Sequence, residues 1–162
     1  MDIRFLTFPD FHNVYFYRFI TLAILVASSG LVLIKAPSTP LPELLLIGVC
    51  LLSMSWRFAL EWRMLAKAGP ASIHNDELIV SSDATDQKIA LTKIRSVTSR
   101  HSIFMVRRYR SWSDHLAFLE FTLNNGERIY TLVESAVLEF PAGKQTLSTV
   151  NAAVLAAKIK NL

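Results

Sequence analysis

Two long apolar runs separated by a proline-rich turn constrain this chain more than any other feature. Phe19 to Ile34 carries no charge, and Leu44 to Leu60 carries only Arg57. A bilayer core about 30 Å thick is crossed by about 20 helical residues. The first run reaches that length when extended back through Tyr15, Phe16, Tyr17 and Arg18, with the arginine snorkelling outward, and the second extends to about Trp62. Spans are therefore expected at about 15–34 and 42–62. Between them Pro37, Pro40 and Pro42 cannot continue a helix, and so short a connection makes the two runs antiparallel neighbours, a helical hairpin. Pro42 and Glu43 suit the first turn of the second helix, and Gly69-Pro70 is its stop signal. A cleaved signal peptide is not expected, because the start is aromatic rather than cationic and a second apolar run follows.

Basic residues flank the outer ends of both runs (Arg4, Arg18, Arg57, Arg63, Lys67), against Lys35 alone in the turn. By the positive-inside rule both termini face the cytoplasm. Tyr15, Tyr17, Trp56 and Trp62 then fall at one interface. Ala23, Ala27 and Gly30 share one helical face, as do Gly48 and Ser55, so close packing within the hairpin is expected, with homo-oligomerisation through the same face left open. Arg57 and Glu61 stand four apart near the interface and suit an i,i+4 ion pair, although ionisable residues at membrane depth also mark partner or ion sites.

Charge narrows the partners. The 162 residues hold 17 Lys+Arg and 13 Asp+Glu, and 52% are hydrophobic. The halves on either side of Pro70 are each +2, so no concentrated basic face argues for nucleic acid. Collagen-like, disordered and disulfide-framework classes are excluded, and the single Cys50 builds neither an intramolecular disulfide nor a cysteine metal site.

After Pro70 the pattern turns to strands. Ser72–His74 and Leu78–Val80 flank a turn at Asn75-Asp76-Glu77, and Lys88–Leu91 and Ile94–Val97 follow a polar loop. Leu116–Leu123 and Glu127–Val133 flank Asn125-Gly126, a type I′ signal that would pair Phe121 with Tyr130 and Leu119 with Leu132. Lys144–Leu162 reads as a helix whose broad apolar stripe includes Leu147, Val150, Val154, Leu155, Ala157, Ile159 and Leu162. The class is α+β: an N-terminal transmembrane helical hairpin (1–70), then a soluble domain (71–162) built as a bent antiparallel sheet or β-barrel capped by a C-terminal helix.

The stretches Ala71–Val80 and Lys88–Val97, the Asn125-Gly126 hairpin and the final helix together resemble the bacterial pleckstrin-homology-like membrane proteins, in which a transmembrane hairpin precedes a small capped β-barrel. The resemblance implies a bacterial inner-membrane location and a binding or assembly module rather than an enzyme, since that fold usually holds lipids, peptides or neighbouring subunits.

No catalytic, cofactor or metal residues are expected. Ser113-Asp114-His115 has the residue types of a hydrolase triad, but consecutive residues cannot converge in those roles. Nucleotide, dinucleotide and zinc-hydrolase motifs are absent. His12, His74, His101 and His115 read as surface or strand-end residues, and Asp76, Glu77, Asp83 and Asp86 lack calcium-loop spacing. One cluster stands out: Arg100, His101, Arg107, Arg108 and Arg110, with Phe104, Tyr109 and Trp112 interleaved and no acid from Ser99 to Ser113. Beside an anionic leaflet each such cation contributes about 1 kcal/mol. The chain thus reads as a non-enzymatic integral membrane protein whose cytosolic domain binds an anionic membrane surface or a protein partner through this cluster. Two alternatives stand beside it: an immunity or inhibitor protein against a membrane-acting toxin, compatible with a small anchored β domain that lacks a catalytic constellation, and a structural subunit of a larger membrane complex, suggested by the small-residue faces and the Arg57/Glu61 pair.

Overall fold

The computed structural model describes residues 3–81, 86–106, 114–136 and 138–160. Their order is β1 (Ile3–Arg4), α1 (Phe8–Lys35), α2 (Leu41–Leu65), β2 (Ala71–His74), β3 (Glu77–Ser81), β4 (Asp86–Ala90), β5 (Ile94–Val106), β6 (Asp114–Leu123), β7 (Arg128–Ala136) and α3 (Lys144–Lys160). The class is α+β. A capping box of Thr7 and Asp10 opens α1, and a short 3-10 turn, Ala36–Ser38, joins it to α2.

Both helices are longer than the apolar runs alone suggest, about 42 and 37 Å at 1.5 Å per residue. Each contains a stretch long and apolar enough to cross a membrane, with only 6% of that stretch buried. A core helix of a soluble protein would be mostly covered. The base of the hairpin is docking surface: Phe11, Val14 and Arg18 near the start of α1, and Phe58, Glu61 and Leu65 near the end of α2, are buried.

The strands form two antiparallel sheets, ordered β1-β2-β3-β4 and β5-β6-β7, rather than one closed barrel. On the β7 side the sheets meet through single backbone hydrogen bonds, Leu6 N to Leu132 O and Gly69 N to Tyr130 O, instead of a ladder. The N-terminal residues belong to this part of the molecule, since β1 pairs with β2 and Phe5 packs edge-on against Phe121, their ring centroids 6.2 Å apart. A boundary at residue 70 therefore cuts through a packed unit.

Turn chemistry is exchanged relative to the sequence reading. The two-residue turn with positive φ at both positions is Asn75-Asp76 (47° and 62°), closing His74 onto Glu77. In the β6–β7 connection only Gly126 has positive φ (85°), and Leu123 N bonds to Glu127 O across a three-residue loop. The register consequently moves by one residue, placing Phe121 opposite Ile129 and Leu119 opposite Thr131.

One core lies between the sheets and α3, with Leu78, Leu91, Ile94, Leu119, Phe121 and Val150 among its members. A second lies on the other face of β6–β7, where Leu116, Phe118 and Leu132 meet Leu6, Phe11, Val14 and Leu65 from the base of the helical hairpin. The central strand is covered on both faces, which explains its nearly unbroken apolar run from Leu116 to Phe121. On α3 the buried stripe is narrower than expected: Val150, Val154 and Ala157 are buried, whereas Leu155 and Ile159 are exposed.

Candidate functional site: a buried ion pair joining helices and sheet

β5 runs nine residues beyond its expected end at Val97, and its pairing with β6 is interrupted between His101 and Val106. An interrupted ladder leaves backbone N–H and C=O groups without strand partners, which is costly unless other groups replace them. Here side chains do so. Arg57 Nη2 donates to His101 O at 3.1 Å, Ile103 N donates to Glu61 Oε1 at 2.9 Å, and His115 Nε2 donates to Ser102 O. His115 is buried at the start of β6, a strand-end rather than a surface residue.

Glu61 is the centre of the arrangement. Its Oε2 accepts from Arg18 Nη2 at 2.6 Å and from Ser102 Oγ at 2.5 Å, while its Oε1 lies 3.2 Å from Arg57 Nε in addition to Ile103 N. Arg18 and Glu61 both have 0% side-chain exposure. The i,i+4 pair read from the sequence is present, and it is one edge of a network spanning α1, α2 and β5. Arg18 does not snorkel outward. It turns inward because a buried carboxylate offers it a charge-assisted bond, and Phe58 and Phe104 flank the guanidinium carbon at 5.4 and 5.6 Å. Arg18 Nη2 also lies 3.3 Å from Ser102 Oγ, whereas Nε and Nη1 are buried without a hydrogen bond among the described residues.

The other residues singled out from the sequence separate into three groups. Trp62 packs between Phe19 and Phe58, with ring centroids 5.5 and 5.6 Å away, while Trp56 is exposed. The small residues do not form the close helix–helix seam expected of them. Ala23, Ala27 and Ser55 are exposed, and a Cβ added at Gly30 or Gly48 would meet nothing within 4 Å. The helices are tied together at their base by the ion pair and its aromatic neighbours instead. Arg100 is exposed on β5. Arg107, Arg108, Tyr109, Arg110 and Trp112 lie outside the described residues, as do Ser113 and Asp83.

Contacts along the helices nevertheless give the β5–β6 pair a direction. Phe118 and Leu116 pack with Leu65, Ser102 bonds to Glu61, and Phe104 lies against Phe58, ring centroids 5.4 Å apart. The open end of this strand pair, at Val106 and Asp114, thus points along α2 toward its exposed apolar stretch.

Chemically the site is a clamp. Its carboxylate accepts hydrogen bonds from Arg18 Nη2, Ser102 Oγ and Ile103 N and is ion-paired with Arg57 as well. Among the described residues no group of three or more His, Cys, Asp or Glu could hold a metal ion. Sequence reasoning found Arg57, Glu61 and Arg18 but missed Ser102, Ile103 and His115, whose roles depend on where a ladder breaks. Comparison with protein-family models, curated proteins and solved structures finds no match to this chain.

Proposed function

We propose that this chain is an integral membrane protein whose helical hairpin spans a bacterial inner membrane with both termini cytoplasmic, and whose β domain is a non-enzymatic, pleckstrin-homology-like module acting at the anionic membrane surface. The observation that carries this reading is the direction of the β5–β6 pair. Its open end points along α2 toward the exposed apolar stretch, and the residues that join the two strands in sequence include Arg107, Arg108, Tyr109, Arg110 and Trp112. A basic and aromatic segment leaving a domain there is suited to anionic headgroups, each cation contributing about 1 kcal/mol at low screening. Tethering by the hairpin raises the effective concentration of that surface, so weak intrinsic affinity suffices. The clamp of Arg18, Glu61 and Ser102 holds the domain in one orientation relative to the hairpin.

The test is extraction of the full chain and of a variant with Arg107→Glu, Arg108→Glu and Arg110→Glu, followed by mass spectrometry of retained lipid and protein. Anionic lipid retained by the parent and lost by the variant is the expected result. A one-to-one protein partner with no dependence on anionic lipid would overturn the surface reading in favour of an immunity protein or a complex subunit.

A further inference from the structure

A second part of the β domain is oriented toward the same surface by different chemistry. β7 ends at Ala136, which pairs with Asp114, so the segment following β7 emerges at the same end of the sheet as the β5–β6 opening. There Leu138 is 85% exposed and Phe140 74%, and Ile103 on β5, across β6 in the same sheet, is 60% exposed. Single exposed apolar residues are ordinary, but three large ones at one end of a small domain form a patch.

The segment's own acid is withdrawn from that patch. Glu139 Oε2 accepts from Ala136 N at 3.1 Å and lies 3.4 Å from Ser135 Oγ, and the Glu139 carbonyl accepts from His101 Nε2 at 2.7 Å. With its charge satisfied inward, the turn presents leucine and phenylalanine outward on a hydrogen-bonded frame. Depth follows from the same contacts. The Phe140 ring lies 5.0 Å from the His101 ring, and the His101 carbonyl accepts from Arg57, next to the exposed Trp56. Tryptophan and arginine at the end of an apolar span mark the headgroup level.

We infer that Leu138, Phe140 and Ile103 form an apolar wedge that enters the interfacial layer of the bilayer the hairpin crosses. This inference rests on the membrane reading above. The occupant is lipid rather than another chain because Phe140 lies against His101, whose carbonyl is held by Arg57 beside the exposed Trp56, at the end of the exposed apolar stretch of α2.

The experiment places spin labels on the full chain, reconstituted at one copy per lipid nanodisc in a Cys50→Ser background. Single cysteines are introduced at Leu138, Phe140, Leu46 within the hairpin, and Asn125 at the opposite end of β6 and β7. Accessibility to oxygen is compared with accessibility to a water-soluble nickel chelate. The expected result is oxygen dominance at positions 138, 140 and 46 and nickel dominance at 125, with Ile103→Asp shifting 138 and 140 toward nickel. Nickel dominance at 138 and 140 with oxygen dominance at 46 would overturn the wedge and leave the membrane reading standing, whereas nickel dominance at 46 as well would overturn both. Oxygen dominance at 138 and 140 only when several copies share a bilayer would assign the patch to a second copy and also overturn the wedge.

Discussion

Replacing Glu61 by leucine leaves Arg18 fully buried with Ser102 Oγ, 3.3 Å away, as its remaining side-chain hydrogen-bond partner. Removing one member of a buried ion pair costs about 3–5 kcal/mol, because the other charge stays desolvated. The reverse change, Arg18→Met, is milder. Glu61 keeps Ser102, Ile103 N and Arg57, the last 29% exposed at 3.2 Å, so the loss is nearer one charged hydrogen bond, about 1.5–3 kcal/mol. The double change removes both charges and leaves Ile103 N as the main unsatisfied group, at about 1–3 kcal/mol. The double variant should therefore be more stable than Glu61→Leu alone. Thermal unfolding of the full chain in detergent, followed through the β-sheet signal, measures this. At about 2–4 °C per kcal/mol, Glu61→Leu lowers Tm by roughly 6–20 °C and adding Arg18→Met restores part of it. Hydrogen exchange at the Ile103 amide should rise in both Glu61 variants. Additive losses, with the double variant the least stable of the three, would refute the clamp.

Other consequences are more local. Phe5→Ala removes a buried ring from the core shared with Phe121 and should cost about 3–5 kcal/mol by unfolding, an effect absent if the N-terminal strand is dispensable. Gly143→Ala meets both a positive φ of 59° and a Val133 methyl 2.8 Å from the new Cβ, so a loss above about 1 kcal/mol is expected, whereas Gly48→Ala meets open space and should be neutral or stabilising by up to about 1 kcal/mol. The Lys160 ammonium, hydrogen-bonded to Asp76 at 2.9 Å, is held above its ordinary pKa of 10.5 by that bond and by the carboxylate's charge. Its contribution to stability is complete below the ordinary lysine value and lost as pH rises through the raised one; Lys160→Met should abolish that alkaline slope in a titrated unfolding series.

Much of the architecture was legible because period and punctuation are local signals. The two apolar runs, the proline turn, the strand pairs after Pro70 and the final helix all follow from residue type at short spacing. What escaped depends on long-range partners. The apolar run from Leu116 to Phe121 could not reveal that the helical hairpin covers one of its faces, nor could Ile3 reveal that it adds a strand beside Ile73. Asn125-Gly126 favours a two-residue turn, but a three-residue loop with one left-handed glycine satisfies the same dipeptide and shifts the register. Arg57 and Glu61 were visible as a spacing, whereas Ser102 and His115 acquire their roles only because β5 leaves β6 there. Arg18 was placed correctly along the chain and pointed the wrong way, since a snorkelling arginine and a buried one look alike until a carboxylate is found opposite.

Trp112 reports directly on whether the basic and aromatic segment after β5 lies on an anionic membrane surface. In full-length protein carrying Trp56→Phe and Trp62→Phe, Trp112 is the sole tryptophan, and its emission can be measured in vesicles containing brominated phosphatidylglycerol or brominated phosphatidylcholine. Stronger quenching by the anionic lipid is expected, weakened by salt and abolished by reversing Arg107, Arg108 and Arg110. Equal quenching by both lipids, unchanged by salt or charge reversal, would contradict that placement.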